Sequence, residues 1–397
     1  MKEINKICVI GLGYIGLPTA TLLAKEGYNV LGVDISEDIV KSINEGKAHI
    51  VEPNLQGYLE EVISNKKLKA SLKPEKSDVF IIAVPTPFKN QNKEPDLSFV
   101  NKAIQSILEF ISDDNLIILE STSPVGTIDK IEQKLTNNGI DISKINVGYC
   151  PERVLPGKIM DELVSNDRIV GSTNKTSASI IANFYRTFVG GKVFETEAKI
   201  AEMVKLVENS FRDVNIAFAN ELSMICHDEN IDVNETIELA NKHPRVNILS
   251  PGSGVGGHCI AVDPWFIISS NHKKAKIIRT AREVNLGKTD WVKNRIKEEI
   301  KSFKLDHSKS PIIGFLGLAY KPDIDDLRES PALQIAKEFK KENYSMMVVE
   351  PNISKHSDFE IYSLDEVLQK ADILIILVSH KEFKDIKFNR VLNFSSA

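Results

Sequence analysis

Lys6-Ile-Cys-Val-Ile-Gly11-Leu-Gly13-Tyr14-Ile15-Gly16 decides the fold of this chain. Lys6–Ile10 is an apolar run of strand length, and an apolar stretch of helical character runs from Gly16 to Gly27. The three glycines at the joint have separate uses. Gly11 permits a tight turn, Gly13 lets the backbone approach a pyrophosphate, and Gly16 lets helix and strand pack closely. The helix N-terminus then presents N–H groups and a favourable dipole to phosphate. Glycines at this spacing are a weak signal alone, but the context here is complete. Tyr28–Val33 reads as a second strand, and Asp34 ends it at about the 20-residue distance at which a carboxylate meets the ribose hydroxyls. That carboxylate would repel a 2′-phosphate, so the expected cofactor is NAD, held by Gly11, Gly13, Tyr14, Ile15, Gly16 and Asp34.

Outward from this unit the same grammar repeats. Asp78–Val84, Leu116–Leu119, Val147–Cys150 and Arg168–Val170 are apolar runs separated by helix-length segments. They read as buried parallel strands of a doubly wound sheet, in a first domain over residues 1–195. Glu197–Glu229 then contains neither Gly nor Pro, with Ile200, Met203, Val204, Val207, Phe211 and Val214 at helical spacing. A helix this long is expected to bridge domains or build a dimer interface. With a second long helical stretch over Ala275–Phe303 it makes a central region at 196–303 for dimerisation and the active site. Strands resume at Ile312–Leu316, Ser345–Val349 and Ile373–Val378, giving a smaller α/β domain over 304–397. The expected fold class is α/β: two doubly wound Rossmann-like domains joined by a long central helix. A chain of 397 residues exceeds what one hydrophobic core serves, which agrees.

Bulk properties exclude other classes. A net charge of −5 leaves no electrostatic footprint for nucleic acid, and Lys66-Lys67-Leu68-Lys69 reads as a solvated helix face. No apolar run is long enough to span a membrane, and Met1–Lys6 leads into a strand without signal-peptide architecture. The four cysteines, Cys8, Cys150, Cys226 and Cys259, are widely spaced, which argues against disulfides and a zinc site. A reducing cytoplasm is the expected setting, with no metal.

Ser250-Pro-Gly-Ser-Gly-Val-Gly-Gly-His-Cys259 is the second informative stretch. Glycines at 252, 254, 256 and 257 imply positive-φ backbone and close approach of a ligand, with Gly254 and Gly256 expected to line it. Cys8, Cys150 and Cys226 read as buried small hydrophobes, whereas the loop favours exposure of Cys259. A thiolate adds to an aldehyde to give a thiohemiacetal, which still carries a transferable hydrogen. A second hydride transfer makes a thioester that water opens to an acid. NAD with an active cysteine therefore points to oxidation beyond the aldehyde.

Several segments resemble the UDP-glucose/GDP-mannose dehydrogenase family over nearly the whole chain. They are Gly11–Gly16, Val84-Pro-Thr-Pro87, Ser121-Thr-Ser-Pro-Val-Gly-Thr127, Pro151-Glu-Arg153, Lys205-x-x-x-Asn209, Gly256-Gly-His-Cys259 with Asp263, and Tyr320-Lys-Pro322 followed by Arg328-Glu-Ser. The resemblance implies a four-electron oxidation of a sugar C6 alcohol to a uronate, with two NAD and a UDP-sugar substrate. Within the family, His243-Pro-Arg245-Val-Asn-Ile and Cys259-Ile-Ala-Val-Asp-Pro-Trp265 are similar to members acting on UDP-N-acetyl-D-mannosamine. Members oxidising UDP-glucose usually carry Ser where this chain has His258. UDP-N-acetylglucosamine and UDP-glucose remain the alternative substrates.

By the same resemblance Cys259 is the nucleophile and Lys205 steadies the oxyanion, with Asn209 and Arg212 on the same helix face at i+4 and i+7. Glu152, Asp263 and Thr122 are implied to position water or proton-transfer groups. Arg153 and Val154 are implied to lie along the sugar, with His243 and Arg245 reaching it from a neighbouring subunit of a homodimer or dimer of dimers. Tyr320 and Lys321 follow a strand of the last domain, where ligands gather in α/β sheets, and Lys321 would neutralise substrate charge. Arg328, Thr86 and Thr127 are implied to approach the NAD. His227 and His307 read as surface or core histidines. Two competing readings stay open: a non-catalytic nucleotide-sugar or NAD sensor, and a two-electron alcohol dehydrogenase that does not need Cys259.

Overall fold

A computed structural model describes residues 4–89 and 93–395. The chain divides into two compact units, Met1–Val207 and Glu208–Ala397.

In the first unit, the strands are β1 (Lys6–Ile10), β2 (Asn29–Val33), β3 (Leu68–Ser71), β4 (Val79–Ile82), β5 (Leu116–Leu119), β6 (Asn146–Tyr149), β7 (Arg168–Ser172) and β8 (Val193–Glu197). Among the described residues they form one sheet in the order β3-β2-β1-β4-β5-β6-β7-β8. Alternation along each strand feeds two cores. Ile7, Val9, Val79 and Ile81 pack on one face, while Cys8, Ile10, Phe80 and Ile82 pack on the other. Helices cover both faces, so the central strands read as continuous apolar runs.

Three features depart from the expected pattern. β7 runs antiparallel to β6, pairing Tyr149 with Gly171. The link between them holds a single helix of seven residues, Ile159–Ser165, and begins and ends at the same end of the two strands. Apolar periodicity carries no strand direction, so this reversal was not readable. The Lys66–Lys69 run is not a helix face: the helix Leu55–Ser64 ends before it, Lys66 has φ 57°, and β3 starts at Leu68. Leu68 and Ala70 are buried while Lys69 points to water, as suits an edge strand guarded by charge. β8 at the other edge has mostly exposed side chains, which hid it among polar segments.

The second unit carries β9 (Ile313–Leu316), β10 (Met346–Val349), β11 (Ile373–Ile376) and β12 (Val391–Asn393), all parallel, in the order β10-β9-β11-β12. Val292, Ile296, Ile300 and Phe303, on the helix Lys276–His307, pack against Ile313, Phe315 and Ile375. Local signals open the smaller helices. Ser330 accepts from Leu333 N–H ahead of Pro331, and Ser363 with Glu366 forms a capping box. The helix Ala198–Asp228 has 31 residues, and the division between units falls within it.

Where this helix and Lys276–His307 meet in the second unit, the contact is polar and dry. Asp213 and Arg282 are 0% and 2% exposed, with Arg282 Nη1 2.5 Å from Asp213 Oδ1. Asn285 Nδ2 donates to the same oxygen at 2.8 Å, and Asn220 Nδ2 donates to Asn285 Oδ1 at 2.8 Å. Removing one partner of a buried pair strands the other charge, at a cost of about 3–5 kcal/mol. Arg282→Ala is therefore expected to lower stability by about that amount, measured by denaturant unfolding. A loss below about 1 kcal/mol would mean that water reaches Asp213.

Candidate active site

In the first unit the glycine loop has the expected steric logic. Gly11 has φ +91°, and a Cβ there would lie 2.6 Å from the Ala83 carbonyl oxygen. A Cβ on Gly16 would sit 1.7 Å from Gly11 O, so helix Gly16–Lys25 meets the turn at backbone distance. Gly13 is exposed with nothing within 4 Å of that position, which leaves its backbone open to a ligand. Tyr14 and Ile15 are half-buried beside it. Asp34 accepts from Leu12 N–H and Ser36 N–H, both at 3.0 Å, so its carboxylate is anchored to the loop itself. The open Gly13 backbone, the following helix and this carboxylate fit a dinucleotide.

The next loops add the threonines. Thr86 is buried and donates to the Thr122 carbonyl at 2.8 Å, which joins the β4 and β5 loops. Thr127 opens the helix Thr127–Asn137 and donates to Pro124 O at 2.6 Å. The N-terminus of that helix is occupied by Glu202, which accepts from Gly126 N–H at 2.6 Å and Ile128 N–H at 2.8 Å. Burial raises the Glu202 carboxyl pKa, and those two N–H groups oppose the rise.

Glu152, just after β6, is 7% exposed. Its Oε2 lies 2.5 Å from Arg168 Nη1, and its Oε1 accepts from Arg153 N–H at 2.7 Å. The Arg153 guanidinium donates to Asp167 O at 3.2 Å, and Val154 packs against the core. Beneath this pair lies a group the sequence did not announce. Glu120 follows β5, is 3% exposed and accepts from Tyr185 O–H at 2.7 Å. Burial pushes its carboxyl up to about 7, against the pull of the Arg168 charge. A Glu in the sequence gives no sign of whether it will be buried.

In the second unit the thiol loop is built on the polar ladder. Asn220 Oδ1 accepts from Gly252 N–H at 2.8 Å, and Thr289 donates to Ser253 O at 3.1 Å. Further along, the loop lies against Tyr320. A Cβ on Gly256 would be 2.6 Å from Tyr320 Cβ, and one on Gly257 (φ +81°) would be 2.9 Å from the ring. A Cβ on Gly254 would meet Thr289 Oγ1 at 2.5 Å. Gly257 N–H donates to Arg328 O at 3.0 Å, and the Arg328 guanidinium is bidentate on Asp326, Nε to Oδ1 and Nη2 to Oδ2. Cys259 is exposed, and its carbonyl accepts from Val262 and Asp263 N–H at 3.0 and 2.8 Å, turning the chain into helix Asp263–Ser270. Asp263 is 3% exposed and receives Asn209 Nδ2 at 2.5 Å.

The other thiols differ. Cys8, Cys150 and Cys226 are buried, and burial pushes Cys8 and Cys150 up to about 12. Burial also lowers the His258 pKa, with the Arg328 charge acting the same way, which favours the neutral imidazole. Lys205 is buried one helical turn before Asn209, while Arg212, His243 and Arg245 are exposed. Arg245 N–H donates to His243 Nδ1 at 3.3 Å. Tyr320 and Lys321 are half-buried after β9. Asn220, Asn285 and Thr289 are loop-holding residues that sequence reading missed, since their partners lie more than 30 residues away.

Asp34→Ala removes the carboxylate expected to accept from the ribose and to repel a 2′-phosphate. It is expected to weaken NAD binding about ten- to a hundredfold and to narrow the preference over NADP, read by titrating both dinucleotides. An unchanged NAD/NADP ratio would remove Asp34 from this role.

Comparison with known proteins agrees with this geometry. Residues 5–189 match the NAD binding domain of the UDP-glucose/GDP-mannose dehydrogenase family, 199–286 its central domain and 314–396 its UDP binding domain. The chain is 50% identical to a UDP-N-acetyl-D-mannosamine dehydrogenase of Campylobacter jejuni, covering 99% of this chain and 100% of that one. It is 46% identical to an NDP-N-acetyl-D-galactosaminuronic acid dehydrogenase of Ralstonia nicotianae, over 98% and 94% of the two chains. A solved UDP-D-ManNAc dehydrogenase from Pyrococcus horikoshii superposes with TM-score 0.90 at 42% identity, covering 96% of this chain and 91% of that one. The glycine loop with Asp34, the thiol loop and three consecutive domain matches identify the chain as a member of the UDP-glucose/GDP-mannose dehydrogenase family, an NAD-dependent nucleotide-sugar dehydrogenase.

Proposed function

We propose that the chain oxidises UDP-N-acetyl-D-mannosamine at C6 to UDP-N-acetyl-D-mannosaminuronate in two steps, through a covalent adduct on Cys259. The observation that carries this reading is the exposed Cys259 at the end of a glycine loop, one turn before the Asn209–Asp263 pair. The Campylobacter relative at 50% identity supports the sugar, as do the His243–Ile248 and Cys259–Trp265 segments.

Gly11–Gly16 and Asp34, with Thr86, Thr127 and Arg328 toward it, would hold NAD, which would supply the hydride acceptor for each oxidation at C6. The first removes two electrons from the alcohol and releases the hydroxyl proton, leaving an aldehyde. The Cys259 thiolate then adds to C6, and the new alkoxide takes a proton to become a thiohemiacetal. Lys205 and Asn209 are the donors for the oxyanion in this step. A second oxidation gives a thioester, and water held by Asp263, Glu152 and Thr122 opens it to carboxylate and free thiol. Arg153, Val154, Gly254, Gly256, Tyr320 and Lys321 line the UDP-sugar, with Arg212, His243 and Arg245 closing the site. The second oxidation distinguishes this reading from an alcohol dehydrogenase, and turnover distinguishes it from a sensor.

The active species is a homodimer or a dimer of dimers. Phe211, Phe218 and Ile225 are 68%, 53% and 53% exposed and recur every seven residues on one helix face. An apolar stripe of that length costs free energy in water, and a twofold partner presenting the same stripe covers it. The domains proposed are 1–195, 196–303 and 304–397, acting in the cytoplasm.

A panel of UDP-N-acetylmannosamine, UDP-N-acetylglucosamine, UDP-N-acetylgalactosamine and UDP-glucose tests the substrate. Preference for the mannosamine sugar with two NADH per sugar is expected. The Ralstonia relative makes the galactosamine sugar the second reading, and one NADH per sugar would end the two-step scheme. Sedimentation at micromolar concentration is expected to show dimers or larger, and monomers alone would remove the helix interface. Cys259→Ser is expected to lower steady-state turnover about a thousandfold or more, because an alkyl ester opens far more slowly than a thioester. The fold and NAD affinity should persist, since the loop's shape depends on its glycines. Ordinary uronate production by this variant would show that the thiol is not the nucleophile.

A further inference from the structure

Glu350 and His380 are buried in the second unit and belong to none of the groups assigned above. Glu350 follows β10 and is 1% exposed; His380 follows β11 and is 0% exposed. His380 Nε2 lies 3.1 Å from Glu350 Oε2, and that oxygen also accepts from the N–H groups of Leu318 at 2.7 Å and Ala319 at 2.9 Å. On the other side of the ring, Nδ1 takes the Asp323 N–H at 2.9 Å and lies 3.1 Å from Asn352 Nδ2. A backbone N–H only donates, so Nδ1 is the acceptor and the neutral ring carries its proton on Nε2, toward Glu350. Asp323 in turn accepts from Lys381 N–H at 3.0 Å. Asp323, His380 and Glu382 also lie within metal-ligand distance of one another. With both ring nitrogens engaged, that trio has no nitrogen lone pair to offer.

These bonds grip both ends of one loop. Leu318 and Ala319 begin it and Asp323 ends it, and between them stand Tyr320 and Lys321. Asp323 has φ 58°, an unfavourable conformation for a residue with a side chain, and its N–H is held by His380. The Glu350 carboxylate is dry, so its oxygens need donors, and two of those are the loop's own backbone. A shift of the loop would take two donors from that buried carboxylate and leave it only His380 and Asn352. Tyr320 is also the surface on which Gly256 and Gly257 lie, so the packing continues from His380 to the thiol loop.

We propose that Glu350 and His380 are positioning residues for sugar-nucleotide binding, holding the Leu318–Asp323 loop so that Tyr320 and Lys321 meet the substrate. This rests on the assignment of Tyr320 and Lys321 to the substrate made under the proposed function.

The test compares wild type, His380→Phe and His380→Asn for kcat and for KM toward UDP-N-acetyl-D-mannosamine and NAD. Phe keeps ring volume beside Phe383, 5.4 Å away between centroids, but offers no acceptor to Asp323. Asn returns a carbonyl oxygen near the Nδ1 position. His380→Phe is expected to raise the sugar KM about tenfold or more while the NAD KM stays within about twofold. His380→Asn is expected to recover most of the sugar KM. An unchanged sugar KM in His380→Phe, an equal rise in the NAD KM, or equal defects in both variants would overturn the proposal. Should His380→Phe not fold, Glu350→Met keeps a side chain of similar length but offers no acceptor to the Leu318 and Ala319 N–H groups, and the same split and the same overturning results apply. A wild type that oxidises no sugar of the panel counts against the proposed function before any variant is made. UDP titration of wild type and His380→Phe then decides the positioning role, with about tenfold weaker binding expected and equal affinity overturning it.

Discussion

A carboxylate with no access to water must find its partners inside the protein, and Asp213 sets that condition for the second unit. Its charge is met by Arg282 and Asn285 from the facing helix, and Asn285 passes the demand to Asn220. The last member of the ladder is Gly252 N–H, the first glycine of the thiol loop. Two long helices are thereby locked in register, because a slip of one residue would strand a buried charge. The loop that presents Cys259 inherits this rigidity. An apolar contact would hold the helices together equally well, but it would tolerate sliding, and the loop would slide with it.

The glycines act in two ways at the two loops. At Gly11 and Gly16 side chains are excluded because the protein's own backbone occupies the space. At Gly13 nothing of the protein stands nearby, and the missing side chain leaves room for a ligand. In the thiol loop Gly256 and Gly257 lie on Tyr320, so this loop and the loop after β9 are shaped by one contact. Anchoring Asp34 to the Leu12 N–H does the same for the dinucleotide side, where one carboxylate serves both the loop and the expected ribose. Sites that must bind flat, charged ligands gain from this arrangement, since little conformational freedom remains to be lost on binding.

Much of this was legible in one dimension. Apolar runs of strand length located β1, β2, β4, β5, β6, β9, β10 and β11 because buried parallel strands carry no polar face. The glycine spacing with Asp34 marked the dinucleotide turn, absence of Gly and Pro marked the 31-residue helix, and glycine density separated Cys259 from three buried thiols. Each of these signals is local, being written in residues that are neighbours along the chain. The tertiary structure alone decided the rest. The direction of β7 depends on where its connection returns, and β3 and β8 are edge strands whose polar exposed sides mimic other elements. The Glu120–Arg168–Glu152 cluster, the Asp213 ladder and the Glu350–His380 clamp join residues 16 to 72 positions apart. A polar residue's type is the same in water and in a core. Only the fold determines which carboxylates lose their solvent, and a carboxylate without solvent must then be held by whichever donors the fold has brought beside it.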